Sequence, residues 1–145
     1  MTDTTYQDRA WGTLRLVYGL VPLLAGLDKF FNVLTQWDQY LSPEVVQILP
    51  VPAPVFMGVI GMVEIAVGAA VFSRWTKQAA YLAAAWLGAI ALNLATTGTH
   101  FDVAVRDVAM AAGAYALAQL TAARETNKVR SHESLDPAEV ILTHL

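Results

Sequence analysis

One carboxyl group, that of Glu64, lies near the middle of an apolar run from Pro54 to Ser73. No other ionisable residue lies between Val51 and Arg74. A charged side chain at the centre of a bilayer costs on the order of 3 kcal/mol to insert, and such residues usually face a bundle interior or a wet cavity. Glu64 is therefore the candidate catalytic residue, with proton transfer as its chemistry. The alternative is an acid that only fixes helix packing.

Glycines flank this acid at helical spacing, which sets the direction in which its side chain points. Gly61, Glu64 and Gly68 are three and four residues apart and share one face of a helix. Glu64 is either neutral because of desolvation or ionised beside a cation. Arg15 is the nearest cation in phase on the first helix, but it is offset along the axis by about 7 Å, so a pair needs its full length or a bridging water. Tyr18 is the alternative hydrogen-bond donor.

The first apolar segment carries a matching face of small residues, with a cation at each end of that face. Glycine at such positions lets a neighbouring helix backbone approach closely. This face either packs against a neighbouring helix or lines a site. Its members, at spacings of 4, 3, 4 and 3, are Arg15, Gly19, Pro22, Gly26 and Lys29.

Polar groups also collect at one end of the predicted bundle, which makes that end the second candidate site. Asp102 and Arg106 are four residues apart on a helix and can pair. This cluster comprises Asp28, Lys29, Asn93, His100, Asp102, Arg106 and Asp107. The candidate ligand-binding residues are Arg15, Lys29, Glu64, Asn93, His100, Arg106 and Asp107. No metal site is predicted, because His132 and His144 lack metal-ligand spacing.

The elements that must position these residues are four long apolar segments. Of the 145 residues, 56% are hydrophobic and 14% are charged. A soluble bundle would show a polar face at a period of 3.6 residues, whereas Val63–Phe72 and Tyr81–Leu92 show almost none. The predicted fold is therefore all-α, a bundle of four transmembrane helices. They are expected at about 10–33, 53–73, 77–98 and 102–122.

The remaining segments are expected to lie outside the bilayer. Residues 1–9 are predicted to be disordered, and 123–145 to form a polar tail with a short helix at Asp136–Leu142. In the first external loop, Ser42-Pro43-Glu44 has the chemistry of a helix start, with Ser as N-cap and Pro at the first helical position. We expect a short interfacial helix there.

The distribution of basic residues predicts the orientation in the membrane. Seven of the nine Lys and Arg residues fall on one side, and by the positive-inside rule that side is the cytoplasm. Both termini are therefore predicted to be cytoplasmic, and the bacterial inner membrane is the expected location. The seven are Arg9, Arg15, Arg74, Lys77, Arg124, Lys128 and Arg130.

Composition argues against several classes of function. The net charge is −3, and no basic cluster with interleaved aromatic residues suggests a nucleic-acid partner. The chain has no cysteine, which excludes disulfides, cysteine-ligated iron–sulfur clusters and a thiol relay of its own. We find no pattern of a cleavable signal peptide. No cofactor is predicted unless the chain binds a quinone.

Four short motifs, in order within residues 10–122, give the chain a resemblance to the DoxX family of small membrane proteins. They are Arg15 followed by Gly19, Gly26-Leu27-Asp28-Lys29-Phe30, Glu64 followed by Gly68, and Arg106-Asp107.

The resemblance implies a four-helix inner-membrane bundle, with Arg15, Lys29, Glu64, Arg106 and Asp107 at the family's positions. Members of that family act as small subunits linked to thiosulfate:quinone oxidoreduction or as partners in membrane oxidoreductases. The expected function is an accessory subunit of a larger respiratory or redox-linked membrane complex, not catalytic on its own. The alternative is a quinone- or small-lipophile-binding oxidoreductase subunit, in which Glu64 handles a proton and Arg106 and Asp107 hold the ligand. A small-solute transporter is the third hypothesis.

Overall fold

The computed structural model describes residues 3–142 and, within them, the side chains of residues 5–131. The protein is all-helical, with 83% of its residues in helices and no strand in the described part of the chain. A 3-10 turn lies at Trp37–Tyr40. The helices are α1 Asp3–Asp28, α2 Pro43–Ile48, α3 Ala53–Phe72, α4 Thr76–Thr96 and α5 Phe101–Leu142.

Three of these helices are long and apolar enough to cross a membrane, which supports the predicted membrane class. They contain the spans Thr5–Asp28, Ala53–Phe72 and Thr76–Thr96. The fourth predicted span, 102–122, lies within α5 and is not among them. Its charged residues Arg106 and Asp107 make that segment less apolar than the other three.

Helix α1 begins and ends earlier than its predicted bounds of 10–33. It starts at Asp3, so the helix includes residues that we expected to be disordered. After Asp28 the chain turns, and the backbone N–H groups of Phe31 and Asn32 donate to the Asp28 carbonyl. Asn32 has φ 53°, a left-handed conformation that asparagine tolerates better than most residues and that often follows the end of a helix.

Helix α5 is longer than predicted. It runs for 42 residues and includes the Asp136–Leu142 segment, which we expected to form a separate short helix. The expected short helix in the first loop is present as α2, and the Ser42 side chain accepts a hydrogen bond from the Val45 backbone N–H. Ser42 therefore caps α2 as its sequence predicted.

Glycines bring α1 and α3 into backbone contact. A Cβ built on Gly26 would lie 2.5 Å from the Gly61 carbonyl oxygen, and one built on Gly68 would lie 2.6 Å from the Gly19 carbonyl oxygen. These contacts pair early residues of α1 with late residues of α3, so the two helices are antiparallel. The small-residue faces predicted on both helices are this packing surface.

Helix α4 packs most extensively on α5, and the two helix pairs also contact each other through α3 with α4 and α1 with α5. Five of the nine buried residues where they meet are alanines, and the larger ones are Tyr18, Val67, Val71 and Leu117. One end of this assembly carries the 29–52 segment and the turn 97–100, and we call it the loop end. The opposite end carries Arg15, Arg74 and Arg124, and we call it the basic end.

Candidate functional site

Lys29 and Glu64 form a buried ion pair between the end of α1 and the middle of α3. The Lys29 Nζ lies 2.6 Å from Glu64 Oε2, and the side chains are only 4% and 10% exposed. The close approach of Gly26 to Gly61, each three residues before one partner, sets the register that brings them together. Glu64 is therefore held by a direct cation partner.

Trp37 covers this pair from the loop end. The Lys29 Nζ lies 3.7 Å from the centroid of the Trp37 ring, within the range of a cation–π interaction. The Trp37 indole N–H donates to Asp28 Oδ2 at 2.8 Å, and Asp28 Oδ1 also accepts from the Val33 backbone N–H at 2.9 Å. Asp28 thus shapes the turn after α1 and holds Trp37 over the Lys29 ammonium group.

Two residues of α4 and α5 complete a polar cluster inside the assembly. Asp107 is buried and close enough to Lys29 and to Glu64 for their charges to interact. The Trp86 indole lies near the Glu64 carboxylate, but its Nε1 is buried and makes no hydrogen bond of acceptable geometry. We call Lys29, Glu64, Trp86 and Asp107 the polar core.

Arg15 and Tyr18 do not contact Glu64, so both sequence hypotheses for its partner were wrong. The Arg15 Nε donates to the Val71 carbonyl at 3.0 Å, and its Nη2 donates to the Phe72 carbonyl at 2.6 Å. These contacts satisfy carbonyl groups at the end of α3 that have no partner within the helix. The Tyr18 hydroxyl donates to the Met110 carbonyl at 2.6 Å. Both residues join helices at other depths.

Asn93 of α4 and His100 of the turn that follows it hold the loop in place. Asn93 Nδ2 donates to the Tyr40 carbonyl at 2.7 Å, and Asn93 Oδ1 accepts from the Ser42 backbone N–H at 3.2 Å. The His100 ring meets the Tyr40 ring edge-on, with centroids 5.0 Å apart. Of the predicted ligand-binding residues, these two therefore hold the segment that carries Trp37.

Arg106 does not pair with Asp102, although the i,i+4 spacing allows such a pair. Its Nε lies 3.6 Å from Asp107 Oδ1, and the Arg106 side chain is 66% exposed whereas that of Asp107 is 9% exposed. Arg106 thus points outward while its neighbour points into the polar core. The Arg106-Asp107 motif is divided between two environments.

Sequence reasoning assigned no site role to Trp37 and Trp86. Trp86 carried a usable signal, since tryptophan is enriched at membrane surfaces and this one lies in the middle of an apolar helix. A buried indole N–H usually has a hydrogen-bond partner, so such a position marks a polar neighbourhood.

The site offers ionic and neutral groups but no cluster typical of a metal centre. Within the described residues, no group of three or more His, Asp or Glu side chains is placed to hold a metal ion. The polar core combines a carboxylate that already has a cation with an indole N–H that lies near this carboxylate without a hydrogen bond of acceptable geometry. It can therefore donate a hydrogen bond to a small neutral ligand without separating its ion pair.

Comparison of the chain with protein-family models, curated proteins and solved structures finds no significant match. The resemblance to the DoxX family therefore rests on the four sequence motifs.

Proposed function

We propose that this chain is a four-helix integral membrane protein of the bacterial inner membrane, with both termini in the cytoplasm. Three spans of sufficient length and apolarity support this topology, and the segment 102–122 of α5 would supply the fourth. Seven basic residues lie at the basic end, and they favour the placement of this end in the cytoplasm. The role we propose is an accessory subunit of a larger respiratory or redox-linked membrane complex.

The observation that carries this role is the length of α5. Its 42 residues span about 63 Å, roughly twice the thickness of a bilayer's hydrocarbon core. The part beyond residue 122 is polar in sequence, and the side chains of residues 125–131 are all exposed. A helix that buries no face of its own is stabilised when another domain or chain packs on it. The projecting helix would therefore be a docking element.

Isolation of the full chain in a mild detergent tests this proposal. We expect it to run as part of an assembly much larger than its own mass, together with an oxidoreductase. Val129→Ser removes an exposed apolar group of the projecting helix, where Val129 is 65% exposed, and should weaken the association. Val105→Ser, at a 70% exposed position of the same helix within the bundle, is the matched control. Recovery of the unaltered chain as a free monomer would contradict the proposal.

The unpaired indole of Trp86 favours a second candidate function, the binding of a quinone or small lipophile. A buried donor that makes no well-formed hydrogen bond costs up to about 1–3 kcal/mol, and a ligand carbonyl oxygen in better alignment than the nearby Glu64 carboxylate would remove that cost. Glu64 and Asp107 would then handle a proton beside the ligand. The Arg106 side chain is 66% exposed, so it is less well placed than Asp107 to hold a ligand in the polar core.

Quinone binding to the purified protein distinguishes the two functions. Trp86→Phe keeps the aromatic ring and removes the donor, so we expect about tenfold weaker quinone binding from the loss of one hydrogen bond. Trp75→Phe changes an exposed tryptophan at the basic end and should leave binding unchanged. Equal binding by both variants would leave the quinone hypothesis without support from the polar core.

A further inference from the structure

A cleft at the basic end, where the projecting part of α5 leaves the bundle, has the composition of an anion site. Its volume is 230 Å³, and it lies between α1, the α3–α4 connection and α5. Four cations line it together with one carboxylate, that of Glu125. The cations are Arg15, Arg74, Arg124 and Lys128.

The partners of these cations show how much positive charge the cleft has to offer. Arg124 pairs with Asp8, and Glu125 is already engaged by Lys77. Arg74 and Lys128 form no ion pair or hydrogen bond with the residues that the structure describes, and both are exposed. Two cations on different elements are therefore directed at the same opening without a protein carboxylate to neutralise them.

Aromatic contacts indicate the level in a membrane at which the cleft would lie. The guanidinium carbons of Arg15 and Arg124 lie 4.9 Å and 4.2 Å from the centroid of the Trp11 ring, which also lines the cleft. The Trp11 indole N–H donates to Thr121 Oγ1 at 2.9 Å. Tryptophan with a bonded N–H and neighbouring cations is typical of the headgroup level of a membrane.

We propose that this cleft binds the phosphate group of an anionic ligand. Arg15 and Arg124 are fixed by their protein contacts and form the wall. Arg74 lies 5.7 Å from the centroid of the neighbouring Trp75 ring, and neither it nor Lys128 has an ion pair to break in order to close on the phosphate oxygens. The volume lies below the range of about 300–1,000 Å³ typical of whole-ligand pockets, so the cleft fits a headgroup and leaves the rest of a larger molecule outside. The phosphate comes either from an anionic phospholipid or from a soluble phosphate compound. The proposal is independent of whether a partner complex exists.

The test compares phosphate sources on the full chain purified in a neutral detergent. Thermal melting, followed by tryptophan fluorescence, is titrated with short-chain phosphatidylglycerol, with phosphatidylcholine of the same chain length, and with inorganic phosphate and pyrophosphate. Preferential stabilisation by phosphatidylglycerol assigns the site to an anionic lipid. Stabilisation by the inorganic anions alone assigns it to a soluble phosphate.

Substitution of the two free cations establishes where the ligand binds. A basic residue near an anionic membrane surface contributes about a fivefold gain in affinity, so Arg74→Gln with Lys128→Gln should weaken binding roughly 25-fold. Arg130→Gln is the control, since Arg130 lies two residues beyond Lys128 on another side of α5 and does not line the cleft. The double variant should retain the melting temperature of the unliganded protein.

Two results would overturn the proposal. One is an absence of stabilisation by every phosphate source. The other is a loss of binding in Arg130→Gln that is as large, per charge removed, as the loss in the double variant. Binding would then depend on the net charge of the protein and not on the cleft.

Discussion

Removal of either partner of the Lys29–Glu64 pair is expected to destabilise the protein far more than removal of both. The two side chains are 4% and 10% exposed, so loss of one leaves a buried charge without compensation. Breaking a buried pair in this way costs about 3–5 kcal/mol. Insertion of an isolated charge at the bilayer centre costs about 3 kcal/mol on a biological scale, which gives the same order of magnitude.

Replacement of both residues together is expected to leave the stability of the protein almost unchanged. Lys29→Met and Glu64→Met each keep an unbranched side chain of similar length, and together they place two apolar groups where the pair was. Such replacement of a whole buried pair is often neutral, so we expect the double variant within about 1 kcal/mol of the unaltered protein. The coupling energy between the two sites should then exceed about 3 kcal/mol.

Reversible unfolding in mixed micelles of mild and denaturing detergent measures this cycle. Tryptophan fluorescence is a suitable signal, because the Trp37 ring lies 3.7 Å from the Lys29 Nζ. Lys77→Met is the matched control, since the Lys77 and Glu125 side chains of that pair are 32% and 48% exposed. Exposed pairs contribute less than about 1 kcal/mol, so this variant should be nearly as stable as the unaltered protein.

Two outcomes would refute the reasoning. In the first, Lys29→Met is no more destabilising than Lys77→Met, so the buried pair has the energetics of an exposed one. In the second, the double variant loses the sum of the single losses, so the two side chains stabilise the fold through separate contacts. A stable double variant that loses quinone binding would favour a functional role of the pair over a packing role.

The helix contact and the turn over the pair give two further predictions. Gly26→Ala places a methyl group 2.5 Å from the Gly61 carbonyl oxygen and should lower the stability by about 1–3 kcal/mol. Gly88→Ala is the control, because a Cβ at Gly88 has nothing within 4 Å and the change should be neutral or slightly stabilising. Equal melting temperatures of the two variants would contradict the close packing. Trp37→Phe keeps the ring over the ammonium group but loses the hydrogen bond to Asp28, and should lower stability by about 1.5–3 kcal/mol in the same unfolding assay. If Trp37→Phe unfolds like the unaltered protein, the turn does not depend on that bond.

Local patterns in the sequence predicted the local structure well. The apolar segments became α1, α3 and α4, and the small-residue spacing identified the α1–α3 contact, because helix geometry converts spacing directly into a shared face. Ser42 predicted the start of α2 through the chemistry of its hydroxyl group.

The partner of Glu64 could not be predicted in this way, because it depends on the register between two helices. A depth estimate from helical rise selected Arg15, but Gly26 and Gly61 meet closely enough to set Lys29 beside Glu64 instead. Lys29 also lies beyond the last residue of α1, so its position follows from the turn that Asp28 shapes. Contacts between residues far apart in the chain are not encoded in the period of either helix.

The same contacts indicate which end of the protein recognises which kind of ligand. At the loop end the charged groups Asp28, Lys29 and Glu64 are engaged by one another or by the loop, and the free group of the polar core is the neutral indole of Trp86. At the basic end the free groups are cations in an open cleft. Exposed charges are screened over a Debye length of about 8 Å at physiological ionic strength. Binding at the basic end should therefore weaken steeply as salt is added, and binding at the polar core should not. A ligand whose affinity is insensitive to salt and lost in Trp86→Phe belongs to the polar core, and one with the reverse behaviour belongs to the cleft.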